Sequence, residues 1–443
     1  MSRDFGSQTL KHAPWGPSVT RIMAAALAAV DPRTAMQATL KVKGNQIIVE
    51  DHKYNLDAYE RIFIIGAGKA ATPMTEAAVM LLEDRITDGL VITKDGHAGS
   101  SDHIGPVRII EAAHPLPDQR GVDATHQMLG LLKNTTTKDL IICLISGGGS
   151  ALLTAPVDGL TLDEYRDITD ALLARGAPIQ EVNTLRKHLD LVKGGGLAQA
   201  AAPAQIISFI LSDVVGDPLD IIASGPTVTN PSTATDAIKV VKRYDLRDLI
   251  PADLFASWQT ISPHQSQETK AHNLIIANNA MAIEAAVHQA RDEGFQSERS
   301  TEPFEGEARE LGLKFANHLH QLATQKRDEP LLLVAGGEST VTIQGTGIGG
   351  RNQELALATV EALAGMKDIA LITLATDGGD GPTDAAGGVV TGRTLSRAHV
   401  LGIKTETFLN NNDSYTFFNA LDDLIITGPT QTNVNDLVFL FVF

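Results

Sequence analysis

Two cations and a set of aspartates occupy glycine-rich turns in this chain. Lys69 lies in IFIIGAGKA, Asp213 in ILSDVVGDP, Arg351 in TGIGGRNQE and Asp377 in LATDGGDGP. The first, second and fourth turns directly follow a run of Ile, Leu, Val or Phe, and the third follows VTIQ at one remove. An apolar, β-prone run ending in a glycine turn reads as a buried strand that delivers a loop to its carboxyl end. Open α/β sheets bind ligands there. Cations and carboxylates at such places suit chemistry on a phosphorylated, metal-bound substrate.

Each motif also has a plainer reading. In GAGKAA, Gly66 and Gly68 free the backbone for an anion at a helix amino terminus, and Lys69 would meet substrate oxygens directly. Tight helix–strand packing is the alternative for the same glycines. The motif also fits the dinucleotide fingerprint with alanine in its third position, but no well-spaced acid for the ribose follows. Ser146, Gly147, Gly148, Gly149 and Ser150 form SGGGSA after the run IICLI, and read as an anion nest of backbone amides. Arg186, Lys187 and Lys193 read as a solvated helix face, with Lys193, beside Gly194 to Gly196, the most site-like of the three. Asp213 and Asp217 stand four residues apart just past a strand, as metal ligand or base on one reading and as turn formers on the other.

In the second half, Glu338 and Ser339, in AGGEST, are candidate substrate or phosphate contacts, and Gly349 and Gly350 lead into Arg351 and Asn352. Those glycines suit close approach of phosphate, Arg351 offers a planar fork, and Asn352 and Glu354 start a helix. Asp377, Asp380 and Asp384 share one loop without the spacing of an EF-hand, and at least one of them is expected to do no more than form a turn. His114, in HPLPD, reads as structural while lining the cleft. The chain has no P-loop, no zinc-ligand cluster and no G-x-S-x-G elbow.

The elements that must position these residues alternate strand and helix, which predicts α/β layers with largely parallel sheets. At 443 residues the chain exceeds one ordinary core. The expected domains are residues 1–255 and 270–443, with ISPHQSQETKAHN as the most linker-like stretch. The segment from Asp236 to Trp258 reads as helices that could connect the two. NTLRKHLDLVKGGGLAQAAAP reads as a helix ending near Pro203, and the terminal LVFLFVF as a buried strand.

Composition excludes several classes. A formal net charge of −17 argues against nucleic acid and anionic membranes as partners. Hydrophobic residues at 43% with charged residues at 20% are those of a soluble globular protein. The one cysteine, Cys143, sits in an apolar strand, so no intrachain disulfide forms. No signal-peptide core and no apolar run of membrane-spanning length is present, and the cytoplasm is the expected compartment.

GAGKA, HPLPD, SGGGSALL, VNTLRKHL, LVKGGGLA, LSDVVGDPLDIIASGPT, GGEST, GGRNQELAL, ATDGGDGPTDAAG and NNDSYTFF together resemble the class II glycerate kinases, the glycerate 2-kinases with a carboxyl-terminal MOFRL domain. The resemblance runs from about Ala24 to Asp436. It implies transfer of the ATP γ-phosphate to D-glycerate with Mg2+, giving 2-phosphoglycerate. It also implies a Rossmann-like first domain, a MOFRL-type α/β second domain, and an active site in the cleft between them. By motif, the family's catalytic lysine falls on Lys69, its arginine on Arg351 and its aspartates on Asp213 and Asp377. Either aspartate can serve as base or as metal ligand. The expected partners are a nucleotide and a small acid, with a homodimer admitted. A nicotinamide-dependent hydroxypyruvate reductase and a non-enzymatic phosphosugar-binding protein are the rival readings. The missing ribose acid and the lack of a His–carboxylate hydride-transfer pair weigh against the first. The charged residues at strand ends weigh against the second.

Overall fold

A computed structural model describes residues 5–99, 101–260 and 271–443. Contacts divide the chain into two compact units, residues 32–276 and residues 277–443 together with those up to Asp31. The division departs from the expected domains at both ends. Most of the linker-like stretch, residues 261–270, lies outside the described residues. The strand that follows it belongs to the first sheet.

The unit of residues 32–276 opens with a small antiparallel sheet of β1 (Lys41–Lys43), β2 (Gln46–Val49) and β3 (His52–Asn55). Its main sheet contains β4 (Arg61–Ala67), β5 (Asp88–Lys94), β6 (His103–Ile104), β7 (Val107–Ala112), β8 (Asp139–Ile145), β9 (Gln205–Leu211) and β10 (Ala271–Ala277). The spatial order is β10-β9-β8-β4-β5-β7-β6. β9, β8, β4, β5 and β7 are mutually parallel, and the two-residue β6 alone runs against β7. Strands β4 and β8 are apolar along nearly their whole length because helices cover both faces of a parallel sheet. The chain leaves β4 first toward β5 and β7, then returns to place β8 on the other side. The strand order therefore reverses between β4 and β8, the position where doubly wound sheets open a crevice.

A helical cluster completes this unit. Helices Leu162–Ala174, Ile179–His188, Ala234–Arg243 and Ala252–Thr260 bury Tyr165, Leu172, Leu185, Val241, Phe255 and Trp258 together. The last two helices thus belong to a core of this unit and are not a connecting pair. The single helix expected to end near Pro203 is two, Ile179–His188 and Gly196–Ala201, because Gly194 and Gly195 take positive φ between them.

The other unit is built on β11 (Gln296–Arg299), β12 (Phe304–Glu307), β13 (Leu331–Thr340), β14 (Ile369–Ala375), β15 (Gly387–Thr391), β16 (Leu424–Ile425) and β17 (Asp436–Val442). It is an α/β sheet, but not the largely parallel one expected. β11 and β12 pair parallel with β13, whereas β17 runs antiparallel between β13 and β14, and β15 and β16 continue antiparallel. LVFLFVF is indeed a buried strand, and its insertion at the sheet's centre reverses the direction there. Gly337 and Ala375 both stand opposite Asp436, so the start of β17 lies level with the carboxyl ends of β13 and β14.

The first residues of the chain complete this second unit. Helix Gly16–Ala29 packs on helix Asn279–Asp292, and Arg21 pairs with Glu293 at 2.6 Å. Ser7 and Thr9 donate their hydroxyls to Asp423, Thr432 donates to the Val30 carbonyl, and Trp15 stacks on Phe443. Nothing in the local pattern of an amphipathic helix announces a partner more than 250 positions away. Among the described residues no helix is long and apolar enough to cross a membrane.

Candidate active site

Adjacent parallel strands align their carboxyl ends, and register does this for β4, β8 and β9. Ala67 pairs with Ile145, and Ile145 with Ile210. Lys69, the Ser146–Gly149 turn and Asp213 follow these residues directly, so all three sit on one rim beside the crevice. Gly147 is required there: a Cβ would lie 2.0 Å from Asp213 Oδ2. The Asp213 carboxylate is therefore packed onto the backbone of the glycine turn. His114 and the stem of Lys69 both pack over the next residue, Gly148.

The amides of the two glycine turns differ. Gly68 N–H donates to the Ile92 carbonyl, Lys69 N–H to the Gly147 carbonyl and Ala70 N–H to Ser146 Oγ. The GAGKAA turn is therefore no anion cradle, since its donors are used in holding β4, β5 and β8 together. Gly66 lies within β4, where a Cβ would strike the Leu144 carbonyl; it serves close strand packing and not phosphate. The Lys69 ammonium is left over from this arrangement, half-buried and with no ion pair or hydrogen bond among the described residues. In SGGGSA, by contrast, the Gly147 and Gly148 amides have no acceptor among the described residues, as a nest requires.

A cavity of about 280 Å3 opens beside this rim. His114, Gly148, Ser150, Tyr165, Arg186 and Asp213 are among the residues that line it. Burial pushes the His114 imidazole down to about 4, with the charge of Lys69 adding to the effect. At neutral pH it is an uncharged ring. Arg186 is the residue that sequence reasoning missed. Its sequence context reads as a solvated helix face, yet among the described residues its Nε is buried without an acceptor and its guanidinium makes no ion pair. The Tyr165 hydroxyl on the same wall is also buried and has no partner among the described residues.

Lys193 is the opposite case. Its ammonium donates to the Leu153 carbonyl at 2.7 Å, to Thr154 Oγ1 at 3.2 Å and to Asp190 Oδ2 at 2.8 Å, and its side chain is 1% exposed. All three donors of an ammonium are then used. Lys193 locks the helical cluster to the sheet and has nothing left to offer a substrate, which corrects its reading as the most site-like cation of that stretch.

In the other unit, Arg351 opens helix Arg351–Thr359. Its Nη1 pairs with Glu338 Oε1, its Nη2 donates to Asp436 Oδ1 at 3.2 Å, and its Nε stands 2.7 Å from Asp436 Oδ2 without the angle of a hydrogen bond. These contacts engage three sides of the fork and leave N–H groups on both Nη atoms. Asp436 is 1% exposed, and burial pushes its carboxyl up to about 7, the charge of Arg351 opposing that only in part. Asp377 follows β14 by two residues on the same rim, half-buried, with its Oδ1 accepting from the Gly379 amide. Ser339 is buried, and its hydroxyl has no partner among the described residues.

The helix amino terminus beside Arg351 is already filled. Asp380 accepts from the Asn352 amide at 3.1 Å and the Gln353 amide at 2.8 Å, the place an external anion would take. A Cβ on Gly350 would lie 2.2 Å from the Asp380 Cγ, which is why glycine precedes Arg351. Gly349 packs on Ser414 in the same way. The amides of Gln344 to Ile348 are taken by Asn411, Asn412 and Asp413, so the NND motif holds the GTGIGG loop in shape. Asn352, Gly349 and Gly350 thus position Arg351 and present no cradle of their own. Asp384 is exposed and accepts from Tyr415, as a loop aspartate does.

Comparison with known proteins gives the family. Residues 18–259 match the model of a domain of unknown function, DUF4147, and residues 331–436 match the MOFRL family. A D-glycerate 2-kinase of Thermotoga maritima is 41% identical over 87% of this chain and 91% of its own length. The glycerate kinase of Rattus norvegicus is 36% identical over 97% of this chain and 96% of its own. The chain belongs to the glycerate kinases of the MOFRL family. The crystal structure of a Thermotoga maritima glycerate kinase superposes on it with a TM-score of 0.85 at 37% identity, covering 96% of this chain and 98% of that one. A relative in Agrobacterium vitis, 38% identical over 94% of this chain and 92% of its own, is provisionally named a hydroxypyruvate reductase. Against this family background Lys69, Asp213, Arg351 and Asp377 all stand at sheet rims, two in each unit.

Proposed function

We propose that this chain is a glycerate 2-kinase, transferring the γ-phosphate of ATP to the 2-hydroxyl of D-glycerate. The observation that carries the reading is the rim of the first sheet. An ammonium and two glycine amides without partners among the described residues meet a carboxylate there, at the ends of three adjacent strands. Phosphoryl transfer asks mainly for positioning and charge neutralisation, with a base near the attacking hydroxyl. Lys69 neutralises charge on the transferring group, the Gly147 and Gly148 amides hold phosphate oxygens, and Arg186 grips an anionic group of a ligand in the cavity. Asp213 or Asp377 orients the glycerate hydroxyl and takes its proton. Arg351, held in orientation by Glu338 and Asp436, presents its remaining N–H groups to a second anionic group.

Carboxylate oxygens also suit Mg2+, which binds through one or two carboxylates and the substrate's own phosphates. Asp213 and Asp377 fit that chemistry, each half-buried at a strand end. The ion supplies neutralisation of nucleotide phosphate charge when bound. The single buried cysteine suits a reducing compartment, and the cytoplasm is the proposed location.

The reductase reading fails at a specific place. A dinucleotide fingerprint needs the turn after the first strand to offer its amides to pyrophosphate, and here those amides are spent within the protein. The purified chain incubated with D-glycerate should form ADP with Mg-ATP and no NADH or NADPH with NAD(P)+. Phosphorus NMR of the product should show 2-phosphoglycerate. Reduction of hydroxypyruvate without ADP formation would overturn the reading.

A further inference from the structure

Glu50, His52 and His272 come together, and none of them lines the cavity. Glu50 is in the two-residue turn of the hairpin that pairs Val49 with His52, and His52 begins β3. His272 is the second residue of β10. One ligand atom from each of the three residues lies within 4.8 Å of the others. The two imidazole rings stand 4.3 Å apart, tilted by 56°, and His272 Nε2 is 3.7 Å from Glu50 Oε2. Tetrahedral bonds of the lengths zinc adopts separate ligand atoms by about 3.3 Å, so a small inward movement of the exposed Glu50 and His52 side chains toward His272 closes the set.

We propose that Glu50, His52 and His272 bind a divalent transition metal ion of the zinc class, clipping the β1–β2–β3 sheet to strand β10. Two imidazoles and a carboxylate suit such an ion better than Mg2+, and three protein ligands leave a fourth position for water. Tyr54 supplies the second observation. Its hydroxyl lies 2.7 Å from His272 Nδ1, leaving Nε2 as the atom that faces Glu50. Metal-bound histidines hold their other ring nitrogen in this way, which fixes the tautomer and the ring plane. His52 and Tyr54 are two residues apart on one strand, so both project to the same face, toward His272.

The site differs from the kinase residues in place and in chemistry, so its test does not depend on catalysis. Untagged, chelator-stripped protein should take up one equivalent of Zn2+ in competition with a chromophoric chelator, and excess Mg2+ should not displace it. His52→Ala and His272→Ala should each weaken binding by 100-fold or more. Tyr54→Phe, which removes no ligand, should weaken it about 10-fold through loss of ring orientation. Zn2+ should also raise the unfolding temperature of the wild type and not that of His272→Ala. Failure to bind Zn2+ at 100 μM would overturn the proposal. So would one-equivalent binding that survives both histidine substitutions. If an alanine variant does not fold, an unchanged affinity in Tyr54→Phe overturns it.

Discussion

Arg351 Nε sits 2.7 Å from Asp436 Oδ2, joining the first residue of a helix to the first residue of the terminal strand. The pair explains why β17 must be central. Only a strand running against β13 and β14 starts level with their carboxyl ends, where Glu338 and Asp377 stand. The fork is therefore aimed by a carboxylate delivered from the far end of the chain. Lys cannot reproduce this planar, multiply bonded arrangement. Arg351→Lys should fold normally and lose about 10²-fold in kcat/KM for glycerate phosphorylation, as measured by steady-state kinetics with ADP detection. Unchanged kinetics would remove Arg351 from the site.

The same pair predicts a pH dependence of stability. Burial raises Asp436 to about 7 and Asp380 to about 6, against an ordinary value of 3.8. Both groups hold a proton more tightly in the folded chain. Their contribution is full below the unfolded value and is lost as pH rises through the folded one. Stability should thus decline between about pH 4 and pH 7 on their account. Asp236 and Glu293, each held at about 2, act in the opposite sense at lower pH, between their unfolded values and about 2. Thermal unfolding of Asp436→Asn and Asp380→Asn should show a flatter slope than wild type between pH 4 and pH 7. A slope unchanged in both would mean these carboxyls are ionised throughout.

Much of the rim was legible in the sequence because a strand run followed by a glycine turn is a local signal. Lys69, Asp213 and Asp377 were placed at strand ends by it, whereas VTIQ before the Arg351 turn is not a strand, and Arg351 meets the rim through Glu338 and Asp436. The use of the glycine amides was not legible, because their acceptors, such as the Ile92 carbonyl and Asp380, come from other elements. Arg186 and Lys193 were exchanged for the same reason. Both sit in a basic stretch, and only packing against Asp190 and Leu153 shows which ammonium is spent and which guanidinium is open. The antiparallel β17 and the docking of helix Gly16–Ala29 are likewise long-range outcomes with no local mark. The hydrophobic pattern of either segment fits several partners.

Lys69 should be the most sensitive position on the first rim. It is the cation there with no internal counter-charge among the described residues, so its charge is available to a phosphoryl group. Lys69→Ala should lower kcat by 10²-fold or more with the fold intact by circular dichroism, the scale of losing one electrostatic stabiliser. Near-normal turnover in a folded variant would reduce Lys69 to a packing residue.

Arg186 offers the sharpest separation of binding from chemistry. A buried Nε without an acceptor is costly unless a ligand supplies one, and the cavity it lines is where the ligand would come. Arg186→Gln should raise KM for the substrate whose anion it grips, by about 10- to 100-fold, with kcat changed less. Titration of glycerate and ATP separately would show which substrate that is. Equal KM values for both in variant and wild type would leave the guanidinium without a ligand role.

Lys193 makes the contrasting prediction. Its ion pair with Asp190 is fully buried, the two side chains being 1% and 0% exposed, and burial pulls the ammonium's pKa down while Asp190 opposes the shift. Removing one member of such a pair strands the other charge in the interior, at a cost of about 3–5 kcal/mol. Lys193→Met should accordingly lower the midpoint of chemical denaturation markedly. At a temperature where the variant is folded, its KM values should stay near those of wild type, because every donor of the ammonium faces inward. Replacing the pair together, Lys193→Met with Asp190→Leu, should recover part of the stability, since no lone charge then remains. The recovery has a ceiling. Asp190 also accepts from the Ala155 and Val192 amides, which the double variant leaves without acceptors. A large KM change in Lys193→Met at full folding would return this residue to the substrate site.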